Sequence, residues 1–109
     1  MALSPYCAPF VEAKTLGALG VPVMYQGGTN DIGITPSVKR KGGAFDQTSS
    51  PSVFVEFTGA GHFAWTDLNK RFHAPSTECC VAFFDRFLKG HSSIDPAKRP
   101  SQFADLRSR

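Results

Sequence analysis

The sequence predicts an α/β fold with about three parallel strands and flanking helices. Three observations carry that expectation. Two runs, Val21-Pro-Val-Met-Tyr-Gln26 and Val53-Phe-Val-Glu-Phe57, are rich in β-branched and aromatic residues. The first has no charge and is apolar toward both sides, which suits a strand covered on both faces, as in a parallel sheet. Further on, Cys80, Phe83, Phe84, Phe87 and Leu88 fall at i, i+3, i+4, i+7 and i+8, the stripe of an amphipathic helix. Strand-like and helix-like segments alternate along the chain, the pattern of a parallel α/β sheet.

Each element has a local reason. Ala2 to Tyr6 is a short, proline-interrupted apolar stretch that suits a strand end. Phe10 to Leu19 reads as a short helix or turn, closed by Gly17 and Gly20. Val21 to Gln26 is a strand, and Gly27-Gly28 behind it allows a sharp turn at positive φ. Residues 32–52 read as a long loop punctuated by Thr35-Pro36, Gly42-Gly43 and Thr48-Ser-Ser-Pro51, with one helical turn at Pro36 to Lys39 because proline favours a first helical position. Loops of that length tend to be functional or mobile. Val53 to Phe57 is the second clear strand. The helix after it takes Ser76 as N-cap, following Pro75, and Gly90 as its C-terminal stop. Arg86 and Lys89 lie near its C-terminal end, where the dipole favours cations. Beyond Gly90 the composition turns to Ser, Pro, Arg and Lys. This tail is expected to be loosely ordered over 91–109, with Phe103 and Leu106 as anchors.

A chain of 109 residues suits one domain, and 41% apolar with 12% aromatic residues suits a folded one. Ten phenylalanines are its main apolar resource, each contributing about 1.5–3 kcal/mol if fully buried. A net charge of +3 is mild. Lys39-Arg40-Lys41 reads as a solvated loop, because nucleic-acid binding needs a basic face and a recognisable module behind it. Three cysteines, Cys7, Cys79 and Cys80, give an odd count, and the adjacent pair is poorly placed to bridge. The opening residues lack a basic n-region and an apolar core, and no apolar run reaches membrane-spanning length. The expectation is a soluble protein, cytoplasmic by default. His62, His73, Cys79 and Cys80 match no zinc spacing, Gly27-Gly28 is no phosphate loop, and no cofactor is implied.

The chemistry lies just past the two strands. Gly27-Gly-Thr-Asn-Asp31 follows the first, and Thr58-Gly-Ala-Gly-His62-Phe-Ala-Trp65 follows the second. An aspartate in such a glycine-rich segment can be a turn residue bonding its own backbone, and a histidine after a strand can be a surface residue. Their joint placement points instead to a paired carboxylate and imidazole. Gly59 and Gly61 would let the chain bend so that His62 faces a cleft. Asn30 beside Asp31 is an amide and cannot carry the required charge.

These segments, with the helix around Phe83-Phe-Asp-Arg-Phe-Leu88, resemble the last third of an α/β-hydrolase over residues 2–90. The nearest groups are dienelactone-hydrolase-like and cutinase-like polyester hydrolases and platelet-activating-factor acetylhydrolases. The resemblance makes Ala2–Cys7, Val21–Gln26 and Val53–Phe57 the sixth, seventh and eighth sheet strands. It implies carboxylic ester hydrolysis, with Asp31 as triad acid and His62 as base, and it puts Phe63 and Trp65 beside the substrate cleft unless they are core. In that family the order is nucleophile, acid, histidine. The Gly-x-Ser-x-Gly elbow is absent from these residues. Gly90-His-Ser-Ser-Ile94 lacks the second glycine and follows a helix, and Ser4 in Leu-Ser-Pro has no elbow context. The resemblance therefore implies a hydrolase segment carrying two triad members, inactive alone by the triad route, with an ester substrate only if an N-terminal part completes it. The rival is a non-catalytic interaction or split-subunit protein, forming a homo-oligomer or pairing with an N-terminal chain. Neither reading involves nucleic acid or membrane.

Overall fold

A computed structural model of the chain describes residues 1–49, 51–96, 98 and 103–109. Four strands form one mixed sheet in the order β1 (Ala2–Leu3), β2 (Val23–Gly28), β3 (Ser52–Phe57), β4 (Phe103–Ser108). The first two pairings are parallel and the last is antiparallel. The α/β class and the parallel core of the sheet are as the sequence predicts; the fourth strand is an addition.

Both faces of the sheet are covered, as the uncharged strand pattern requires. Alternation along β2 sends Val23 and Tyr25 to one face and Met24 to the other. On the first face α1 (Ala8–Ala13), α2 (Thr35–Lys39) and α3 (Ala44–Gln47) close a core of Val11, Val38, Phe45 and Phe54. On the second, α4 (His73–Phe87) supplies Cys79 and Phe83 against Val53, Val55 and Phe57. Phe57 is fully buried, with its ring edge-on to Trp65, Phe72 and Phe103 at centroid distances of 5.4, 6.2 and 4.9 Å.

Several local expectations are corrected. The first strand pairs only over Ala2–Leu3, because Pro5 cannot extend a ladder. The helix expected at Phe10–Leu19 is α1, followed by a separate 3₁₀ turn at Leu16–Ala18. Residues 32–52 are not one long loop: they hold α2, with Pro36 in its first turn as expected, and α3. The loop reading missed α3 because four residues cannot display a helical period. Gly27 and Gly28 are the last residues of β2 and have no positive φ; they permit close approach instead. A Cβ on Gly28 would lie 2.1 Å from the Ala60 carbonyl oxygen.

Helix α4 begins three residues before Ser76, so Ser76 is no N-cap. It is buried, and its hydroxyl donates to Gln26 Oε1 at 2.6 Å, satisfying a fully buried amide on β2. The buried line of the helix is Ser76, Cys79 and Phe83, while Val81, Phe84 and Leu88 are exposed. Only part of the expected stripe faces the core. Gly90 does adopt positive φ (72°) just beyond the helix end.

The tail expectation is corrected at its end, where Phe103–Ser108 is a strand, with Phe103 and Leu106 packed on the α4-side core. The remaining part of 91–109 lies partly outside the described residues. Two basic residues at that end are engaged: Arg107 donates to the Lys39 carbonyl at 2.8 Å and Arg109 to that of Asp46 at 2.6 Å. Lys39 likewise leaves the solvated run to pair with buried Glu56 at 2.7 Å, and only Arg40 and Lys41 stay exposed.

All three cysteines are free thiols. Burial lifts the Cys79 thiol from its ordinary 9.0 to about 12, with Cys80 and Glu78 adding repulsion. Between those values the unfolded chain gives up a proton that the folded chain keeps, so stability falls as pH rises through that window. A series of urea denaturations at alkaline pH should show this fall, and Cys79→Ala should flatten it. An equal slope in the variant would remove Cys79 as its source.

Candidate active site

The parallel register brings the site together. Gly28 pairs with Phe57, so β2 and β3 finish side by side and their following loops emerge next to each other. The loops are then tied directly. Thr29 N donates to the Phe57 carbonyl at 3.1 Å and Asn30 N to that of Ala60 at 3.0 Å. Asn30 Nδ2 donates to the Gly59 carbonyl at 3.2 Å, and Gly59 N donates to Thr29 Oγ1 at 2.8 Å. Gly59 makes the bend at φ 82°, a conformation that costs a residue with a Cβ roughly 1–2 kcal/mol. Asn30 is thus a structural clip between the loops.

On this platform Asp31 and His62 meet. His62 opens a 3₁₀ turn over His62–Trp65, and its Nδ1 lies 3.2 Å from Asp31 Oδ2. The carboxyl group is 4% exposed and the imidazole 52% exposed. The carboxyl group is therefore shielded while the imidazole faces outward. A carboxylate accepts, so the contact suits the tautomer with its proton on Nδ1 and its lone pair on Nε2. The Asp31 side chain does not make a local turn; its hydrogen bonds run to residues far away in sequence.

A third group joins them that sequence reasoning set aside. Ser4, just past β1, is buried, and its hydroxyl donates to Asp31 Oδ2 at 2.5 Å. Its backbone is left-handed, with φ 44°. The signal available in the sequence was a Ser-Pro step after a strand, at the same end of the sheet as the other two residues.

The two aromatics named beside the cleft occupy different surroundings. Phe63 is 62% exposed, with its ring 5.6 Å from that of His62. Trp65 is partly buried against Phe57 and Phe72. Gly90–Ile94 lies at the end of α4, in no strand-to-helix turn. Among the described residues no group of three or more His, Cys, Asp or Glu is placed to hold a metal ion. No helix there is long and apolar enough to cross a membrane. A cavity of about 510 Å³ between α4 and Ser93, Ile94, Asp95, Pro96 and Lys98 shares no lining residue with the Asp31–His62 pair.

No protein-family model, curated protein or solved structure gives a significant match to this chain. The functional reading therefore rests on the site itself.

Proposed function

We propose that this chain carries the acid and base of a serine hydrolase acting on carboxylic esters. The scaffold would be the C-terminal part of an α/β-hydrolase of the dienelactone-hydrolase-like group. The observation that carries this reading is the shielded Asp31 carboxyl 3.2 Å from Nδ1 of an outward-facing His62, each just past one of two adjacent parallel strands. In such a pair the imidazole takes the nucleophile's proton and returns it to the leaving group. The carboxylate fixes the tautomer and stabilises the imidazolium. Acyl transfer then needs a nucleophilic hydroxyl at His62 Nε2, which these 109 residues do not supply in an elbow. Ester specificity would come largely from an N-terminal part that completes the fold.

The test starts at the coding sequence upstream of the Met1 codon. An in-frame Gly-x-Ser-x-Gly there gives a protein whose hydrolysis of p-nitrophenyl butyrate should vanish in His62→Ala. A stop codon directly upstream, or full activity in His62→Ala, would sink the catalytic reading.

A second reading, a non-catalytic interaction protein, is favoured by a separate observation. The outer edge of β1 has no partner strand among the described residues, and Val81 and Phe84 on α4, with Leu88 just past its end, are exposed apolar residues. Unpaired edges accept strands from other chains. Size exclusion with light scattering should then show a stable oligomer or complex. A sharp, well-folded monomer counts against it.

A further inference from the structure

We propose that Ser4 is a positioning residue for the Asp31–His62 pair, its hydroxyl holding the carboxylate in the orientation that anchors the imidazole. The inference rests on the reading of Asp31 and His62 as acid and base, and it adds a member that no triad contains.

Both donors converge on one atom. Ser4 Oγ is 2.5 Å from Asp31 Oδ2, and His62 Nδ1 is 3.2 Å from that same oxygen. The longer bond belongs to a half-exposed ring, the shorter one to a serine only 7% exposed. Where Oδ2 sits is therefore set from the Ser4 side, and the imidazole follows it. A buried carboxylate also needs donors to remain in place, and a hydroxyl held by the sheet is one that water cannot displace.

The backbone supports the assignment. At φ 44° glycine would be at ease, and Pro5 restricts the preceding residue further. A side chain kept in such a conformation is held there by what it contacts. Ser4 N donates to the Gln26 carbonyl at 2.8 Å, so the β1–β2 ladder fixes the residue as it leaves the sheet. Three neighbouring parallel strands thus deliver one group each: Ser4 after β1, Asp31 after β2, His62 after β3. The order of contacts is hydroxyl, carboxylate, imidazole. Ser4 donates to the acid, so it serves the pair's geometry and is no nucleophile.

The test is the tautomer of His62, read by ¹⁵N NMR on the labelled full chain at a pH where imidazole is neutral. The wild type should carry its proton on Nδ1, and Asp31→Asn should move it to Nε2. Ser4→Gly, whose backbone suits the left-handed conformation, and Ser4→Ala should each reduce the Nδ1–H form to a minority. An unchanged tautomer in both overturns the proposal. A second measurement needs no variant at Ser4: in the wild type its hydroxyl proton should exchange slowly enough to give a resolved signal that shifts in Asp31→Asn. A fast-exchanging hydroxyl overturns the proposal even if neither Ser4 variant folds. A wild-type proton already on Nε2 would instead overturn the acid–base reading itself, and Ser4's role with it.

Discussion

Asp31→Asn is expected to lower turnover about 10⁴-fold in the complete hydrolase while leaving the fold intact, because an amide cannot do what the carboxylate does here. Ser4 and His62 share one carboxyl oxygen; with the amide nitrogen in that place the Ser4 hydroxyl turns to accept from it, and His62 Nδ1 lies 3.2 Å from a donor where it had an acceptor. Nδ1 gives up its proton, Nε2 gains one, and the imidazole presents a hydrogen where a lone pair is needed. Steady-state kinetics with p-nitrophenyl butyrate should show the loss mainly in kcat, with KM little changed, since neither group binds the acyl chain. Circular dichroism and thermal melting should match the wild type. A loss smaller than tenfold would mean that the carboxyl is not the orienting group.

Phe57→Ala should be the most damaging single change to the fold, costing about 3–5 kcal/mol. Typical domains have only about 5–15 kcal/mol in total. The ring is fully buried and stacks edge-on with Trp65, Phe72 and Phe103. These come from the 3₁₀ turn that carries His62, from the approach to α4, and from β4, so one truncation loosens three connections at once. Urea denaturation followed by tryptophan fluorescence reads it directly, as Trp65 is the only indole. A midpoint shift worth less than about 1 kcal/mol would show that the cluster can collapse around the gap.

How much of this was legible depended on whether a residue's role is local. The strands at Val21–Gln26 and Val53–Phe57 announced themselves through residues apolar on both sides, which only a doubly covered strand explains. Their boundaries moved because Val21 is 61% exposed, while Gly27 and Gly28 carry no strand signal yet pair with Glu56 and Phe57. Asp31 and His62 could be found because each is placed by the strand just before it. Strand β4 was hidden: Asp105 and Arg107 sit among its apolar residues, and it pairs antiparallel at an edge where charge is tolerated. Ser76 followed a proline and looked like a cap, but its partner is Gln26, fifty residues earlier. Ser4 failed for the same reason, since its partner lies across the sheet and only the register brings them together.

The path between β2 and β3 separates what must stay constant from what can vary. Strand β2 stops at the end of the sheet where Asp31 and His62 meet, and β3 starts from the opposite end, so the intervening chain has to travel the length of the domain. Along it Lys41 and Gly42 are exposed, and a Cβ on Gly42 would meet nothing within 4 Å. Asp31 and His62 are brought together by loops that hydrogen-bond directly to each other. A reporter spliced in at Lys41–Gly42 therefore lengthens the chain between Asp31 and His62 while leaving their 3.2 Å contact in place.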